Sequence, residues 1–391
     1  MTIETTRSSR RRNATSRFDA LDGIRSLAVF AVFTYHAVPS LMRGGGAGVD
    51  IFFTLSGFVI TLLLLNERLK HGSVRLGAFY LRRMARLWPA LLLVCLAVAS
   101  LSLLLPSSSW RDEQGNALLS SLHIMNFARG GWFAPSISGG AMGHTWSLAV
   151  EEHFYLVWPL LLIVGFRFLA LRGLLVVTLC LSAAAVAVRL VLQLQGAGWE
   201  RVYNGPDTRA DQLLIGCALA VVFKMSEVNP ELARRLKVTG RVAGVAAALA
   251  LVGLCVAVTY PRGEGAWDVA YRSFAPAVIA LATAVVIAAV VSQPKHTLTR
   301  LLDAPALSRP GRRLSYGVYL WHYPVLFALT PVITGESSGL IRFAAALVIT
   351  VALAWLSARF IEEPIRRIAL AATRRSPARS TPPRIPQAGL R

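Results

Sequence analysis

Long apolar stretches, broken by short polar connections, set the pattern of this chain. Ten of them, at 22–38, 48–65, 88–105, 149–166, 173–193, 211–224, 242–259, 273–292, 314–333 and 341–361, approach the roughly 20 residues that cross a bilayer core. Each predicts a transmembrane helix. The first, sixth and ninth are the shortest or the most polar, so nine or eleven crossings fit almost as well. No repeat of 20 to 50 residues is visible, nor the matched halves that mark many secondary transporters. The fold class predicted is all-α, a polytopic membrane protein of about ten helices around a polar cavity.

Composition agrees with that pattern. Hydrophobic residues make up 55% of the 391 positions, charged residues 16%, and mean hydropathy is +0.54. The net charge of +21 could suggest a nucleic-acid partner, but its distribution argues otherwise. The two tails and the even-numbered connections carry 30 Lys and Arg, and the odd-numbered connections carry 7. By the positive-inside bias both termini are cytoplasmic, and contact with anionic lipid or an anionic ligand is a secondary role for the charge. The domain reading is a basic cytoplasmic tail at 1–20, a transmembrane domain at 21–366, and a disordered, Arg-, Pro- and Ser-rich cytoplasmic tail at 367–391. No cleavable leader is evident, so the first helix is expected to be an uncleaved anchor. Cys95, Cys180, Cys217 and Cys255 lie in apolar segments without paired spacing, which argues against a disulfide framework or metal cluster.

Ionisable residues inside apolar segments are costly and point to function. Arg25 and His36 stand eleven positions apart in the first stretch. Eleven residues overshoot three helical turns by about 20°, so the two share a face, about 16 Å apart along the axis. The plain alternative is a headgroup anchor at one end and an interfacial histidine at the other. Asp50 opens the second stretch, as a helix cap or as a carboxylate near the depth of His36, and Ser56-Gly57 reads as a packing notch or a polar step. Arg82, Arg83 and Arg86 crowd the cytoplasmic start of the third helix and suit either phosphate recognition or topology. Glu151, Glu152 and His153 sit in an apolar run, where packing alone does not justify them. Arg209 and Asp211 read as a surface pair or a cap, His322 precedes the kink-forming Pro324, and Arg359 to Arg367 reads as an interface anchor. The connection 106–148, with Trp110 and Trp132, is long enough to fold over the outer mouth.

Six segments in order resemble the membrane acyltransferase family 3, bacterial O-acyltransferases of glycans and macrolides. The matching blocks are Arg25 to His36, Gly48 to Phe58, Phe79 to Pro89, Trp146 to Glu151, Thr208 to Gly216 and Ser315 to Pro324. The resemblance implies transfer of an acyl group, in the simplest case acetyl from acetyl-CoA, from a cytosolic acyl-CoA co-substrate to a glycan or macrolide hydroxyl at the cell membrane. It implies no metal. It makes His36 the general base, with Glu151 or Asp50 orienting its ring. Arg25, Arg82, Arg83 and Arg86 would hold the CoA portion, and Trp146, Ser147, Arg209, Asp211 and His322 would contact substrate. His153, where relatives often have Gln, adds another imidazole near the expected site. Many relatives carry an extracytoplasmic hydrolase-like domain; none is evident here, so direct delivery to the acceptor is expected. The competing reading is a transporter or flippase for an amphipathic glycan or lipid.

The charge distribution makes a direct prediction. A fluorescent-protein fusion after residue 374 should fluoresce, and an alkaline phosphatase fusion there should be inactive; the reverse result would refute cytoplasmic termini.

Overall fold

The computed structural model describes residues 2–105, 109–133, 136–258, 265–334 and 338–374, with side chains for those between 19 and 373 except 338. The long helices are α1 (Thr2–Ala37), α2 (Ala47–His71) and α3 (Leu76–Leu104). Short helices α4 (Glu113–Ser121) and α5 (Met125–Arg129) and a 3-10 turn (Gly140–Thr145) then lead into α6 (Trp146–Phe168) and α7 (Leu171–Leu194). Next come α8 (Trp199–Asn204), α9 (Pro206–Ser226), α10 (Pro230–Ala257) and α11 (Ala266–Ser292). The chain continues through α12 (Thr297–Asp303), α13 (Pro305–Arg313), α14 (Ser315–Leu329) and α15 (Ser338–Ser357) to a π-helical turn (Ala358–Glu362) and α16 (Glu363–Arg374). No strand occurs among the described residues.

A helix lies at each of the ten apolar stretches. Seven spans are long and apolar enough to cross a membrane, and α1, α9 and α14 are not among them. These are the first, sixth and ninth stretches, and the reasons are visible. Asp19, Asp22 and Arg25 interrupt α1; Asp207, Arg209, Asp211 and Lys224 interrupt α9; α14 has 15 residues. At the C-terminus α16 runs to Arg374, so the first part of the tail expected to be disordered is helical, and 375–391 lies outside the described residues.

Helix α2 forms the centre: 78% of its apolar window is buried, against 22% for α10. Its closest neighbour is α9. A Cβ on Gly57 would collide with the Leu213 carbonyl, and one on Gly216 with the Thr54 carbonyl, so reciprocal glycines bring the two backbones together. Gly57 is therefore the packing notch, while Ser56 beside it turns toward a carboxylate described below. Within α1, Asp22 joins Arg25 at 2.7 Å and Arg312 of α13 at 3.0 Å.

Helices α7 and α9 share a second kind of tie. The Arg189 guanidinium donates to both Asp211 carboxylate oxygens at 2.8 Å and to the Ser273 and Thr208 carbonyls at 2.8 and 2.5 Å. Both side chains are at most 1% exposed. Asp211 is thus part of a desolvated cross-helix pair, not a surface bridge or cap. Removing one partner leaves a buried charge, which costs about 3–5 kcal/mol, whereas removing both relieves it. Arg189→Leu should therefore lower the unfolding midpoint in detergent more than Arg189→Leu combined with Asp211→Leu. A double variant less stable than the single one would refute that account.

Candidate active site

Pro324 organises one end of the site. A proline nitrogen cannot donate to the carbonyl four residues back, so the Leu320 carbonyl is left without its helical partner. His144, on the 3-10 turn, fills the gap: its Nε2 lies 3.1 Å from Leu320 O. One turn away, His322 Nδ1 lies 2.5 Å from the Tyr319 carbonyl, and His322 Nε2 lies 3.1 Å from His36 Nδ1. A carbonyl only accepts, so His322 Nδ1 carries the proton. The neutral His322 ring then offers Nε2 as an acceptor, and His36 must donate from Nδ1. His36 is left with its lone pair on Nε2. The partners thus assign a tautomer chain that ends in a nitrogen able to take a proton. His322 is fully buried and His144 is 3% exposed, while His36, Tyr35 and Tyr323 around them are half-buried.

A cavity of about 480 Å³ occupies the other half of the site. Lys70, His71, Arg75 and Arg82 line one end, where the α2–α3 connection is exposed; Arg25 and Arg86 line its wall; Ser147 and Tyr319 lie at the opposite side of the lining. Phe52, Phe53, Val59, Leu63 and Leu64 supply apolar surface between these groups. Tyr319 joins the two halves. Its side chain lines the cavity, its ring lies 5.4 Å from those of both His322 and His144, and its carbonyl holds His322.

The carboxylates occupy other places than expected. The Nδ1 of His36 is taken by His322, so neither Glu151 nor Asp50 orients the ring through that atom. Glu151 faces the cavity and accepts hydrogen bonds from Ser56 and Tyr155, with Arg83 at 3.5 Å. Arg83 also reaches Glu152 at 3.3 Å and lies over the Tyr155 ring at 3.2 Å, so its charge is committed to the protein. Arg82 pairs with Glu67 at the exposed end, and Arg25 with Asp22. Asp50 lies in the first turn of α2 without capping it; it pairs with Arg209 of α9 at 3.1 Å, and both are buried. Trp146 and Tyr203 lie against that guanidinium, with ring centres 5.3 and 4.6 Å away. Trp146, Arg209, Asp211 and His322 therefore sit in the packed interior, and of the expected substrate contacts only Ser147 lines the cavity.

The connection 106–148 builds the support for His144. Glu113 accepts from the Ala141 backbone N–H at 3.0 Å and from Asn116 at 3.1 Å, which fixes the start of the 3-10 turn. Burial pushes the Glu113 carboxyl up, opposed by those two hydrogen bonds. Trp110 packs edge-on against Phe327 of α14, so the segment does fold back onto the bundle. His153 stacks on Phe127, beside His123, which burial pushes down to about 4. The imidazole near His36 that the sequence reading missed is His144. It lies in what reads as a loop, where a histidine carries no signal; only its place two residues before Trp146-Ser147 could have marked it. Tyr319 was visible inside its block but without a role.

With this geometry in place, known proteins can be compared. The chain is 34% identical over 353 residues to the peptidoglycan O-acetyltransferase OatA of Listeria monocytogenes, which covers 89% of this chain and 56% of that protein. It is 36% identical over 352 residues to the putative peptidoglycan O-acetyltransferase YrhL of Bacillus subtilis, covering 88% and 54%. It is 28% identical over 354 residues to an O-acetyltransferase OatA of Staphylococcus aureus, covering 89% and 57%. The chain thus spans little more than half the length of these relatives. No solved structure matches it. The family model described as an acyltransferase domain, Acyl_transf_3, matches residues 18–359, a range that takes in the histidine chain, the cavity and the buried ion pairs together. The chain belongs to this acyltransferase family.

Proposed function

We propose that this protein is a multi-pass enzyme of the cell membrane that transfers an acetyl group from acetyl-CoA to a hydroxyl of a cell-envelope glycan. One observation carries the reading. A single cavity joins a basic, exposed end to Tyr319, the residue that holds the His36–His322 pair. Lys70, His71, Arg75 and Arg82 suit the phosphates of a nucleotide-bearing donor, and the charge distribution assigns that connection to the cytoplasm. The apolar wall suits an extended, uncharged arm ending in a thioester. The relatives' names supply the acetyl group and the glycan class of acceptor. A macrolide acceptor belongs to the same test.

The chemistry follows from the tautomers. His36 Nε2 accepts the proton of the attacking hydroxyl, and the imidazolium formed keeps its Nδ1–H on His322. The leaving thiolate then takes the proton from Nε2. No carboxylate needs to titrate, and the bond from His322 to the Tyr319 carbonyl keeps the pair oriented throughout.

The test is CoA release from acetyl-CoA by purified protein in nanodiscs, with glycan fragments and a macrolide as alternative acceptors and mass spectrometry of the ester. His36→Gln should lower turnover by about 10²-fold or more while the melting temperature stays near that of the parent. Unchanged turnover would remove His36 from the reaction. Acceptor movement across proteoliposomes without acetyl-CoA consumption would replace the enzyme reading with the transporter one.

A further inference from the structure

Tyr319 and Ser147 both belong to the lining of the cavity, and their hydroxyls, Oη and Oγ, form a pair. They lie 2.5 Å apart. The His144 carbonyl oxygen lies 2.9 Å from Tyr319 Oη and 3.2 Å from Ser147 Oγ. Each hydroxyl has one proton, and two oxygens 2.5 Å apart require a proton between them. One hydroxyl therefore donates to its neighbour and the other to His144 O. The pair is buried, with Tyr319 6% and Ser147 3% exposed, so no bulk water competes for these donors. The pair is neutral and desolvated, and a ligand oxygen could receive a proton from it only by exchange with one of these internal acceptors.

Acyl transfer from a thioester needs such a donor. Negative charge develops on the acyl carbonyl oxygen, and donors that meet it in a dry site supply a large share of rate acceleration. Of the arginines in the lining, Arg83 is engaged by Glu151 and Glu152 and Arg25 by Asp22. We propose that Tyr319 Oη–H, poised by Ser147, forms the oxyanion site for the thioester carbonyl. This rests on the acyl-CoA reading above and adds a residue to it. As the acceptor oxygen bonds to the acyl carbon, its proton passes to His36 Nε2 and the carbonyl electron pair moves to oxygen. That oxygen receives the Tyr319 hydrogen bond, with Ser147 Oγ–H redirected to support it. Collapse re-forms the carbonyl, breaks the C–S bond and sends the sulfur electron pair out as thiolate, which takes the proton from His36. Ester and free CoA thiol are the products. The same residue holds His322 by its backbone carbonyl, so base and oxyanion donor are fixed relative to one another by a single residue.

The experiment compares Tyr319→Phe and Ser147→Ala with the parent protein in acetyl-CoA turnover, acetyl-CoA affinity and thermal stability. Tyr319→Phe keeps the ring that packs in the core and removes only the hydroxyl. Its kcat should fall about 10²-fold, with acetyl-CoA affinity within about twofold of the parent; Ser147→Ala should fall about 10-fold in kcat. A Tyr319→Phe kcat within about threefold of the parent overturns the assignment. So does a rise in donor KM with kcat unchanged, which would make the phenol a donor-binding contact. If Tyr319→Phe does not fold, 3-fluorotyrosine at 319 keeps the shape with a more acidic phenol; a changed kcat at constant donor KM supports the assignment, and an unchanged kcat overturns it. A parent protein that leaves acetyl-CoA intact with every acceptor overturns the donor reading itself, and the oxyanion site falls with it.

Discussion

In an apolar bundle every full charge must meet an opposite charge, and this constraint shapes the rest of the molecule. Asp50 meets Arg209, Asp211 meets Arg189, and Arg83 meets Glu151 and Glu152, each across two helices. Such pairs are weak sources of net stability, because desolvation opposes the Coulomb attraction. What they enforce is register. The α2–α9 contact could slide along its glycines, but a shift of one residue would strand Asp50 and Arg209 from each other in a medium that cannot solvate either.

The same constraint selects the groups left for chemistry. A charged base deep in the bundle would need a counter-charge, and the counter-charge would hold it in place and lower its reactivity. Histidines and hydroxyls avoid this, because they are neutral when idle and bear charge only during reaction. The site separates along these lines. Lys70, His71, Arg75 and Arg82 stand at the exposed end of the cavity and Tyr319 and Ser147 belong to its lining, while His36, His322 and His144 cluster behind Tyr319, outside that lining. A donor with charged phosphates and an uncharged reactive arm matches that gradient.

The fold was largely legible in the sequence because hydrocarbon-length apolar runs carry a strong signal, and the three weakest runs are the helices interrupted by charge or cut short. The site was legible in its residue types but less so in its pairings. Arg209 and Asp211 are two apart on a helix, so they point in different directions and find partners on α2 and α7 that no local pattern reveals. The resemblance implies Glu151 or Asp50 as the orienter of His36, yet a shared motif set does not say which way a side chain faces, and both carboxylates turn to arginines instead. His144 escaped notice because its significance depends on a carbonyl 176 positions away.

That carbonyl shows how far one residue type can reach. Pro324 breaks a single hydrogen bond in α14, and the freed Leu320 oxygen becomes the anchor for a turn built by the connection between α3 and α6. The anchored turn sets the His144 carbonyl, which in turn receives the Tyr319–Ser147 hydroxyl pair. One residue from Leu320, the Tyr319 carbonyl directs the His322 and His36 tautomers. A helix with all its bonds made would not offer the Leu320 anchor as readily, whereas the Tyr319 carbonyl keeps the Tyr323 N–H as its helical partner and accepts from His322 in addition. The proline therefore does more here than bend a helix: the backbone oxygens near it hold the proton acceptor and the hydroxyl donors within one turn of each other. The Leu320 anchor is a backbone atom, so it tolerates a change of the Leu320 side chain, whereas a residue at 324 with an N–H would compete with His144 for that oxygen.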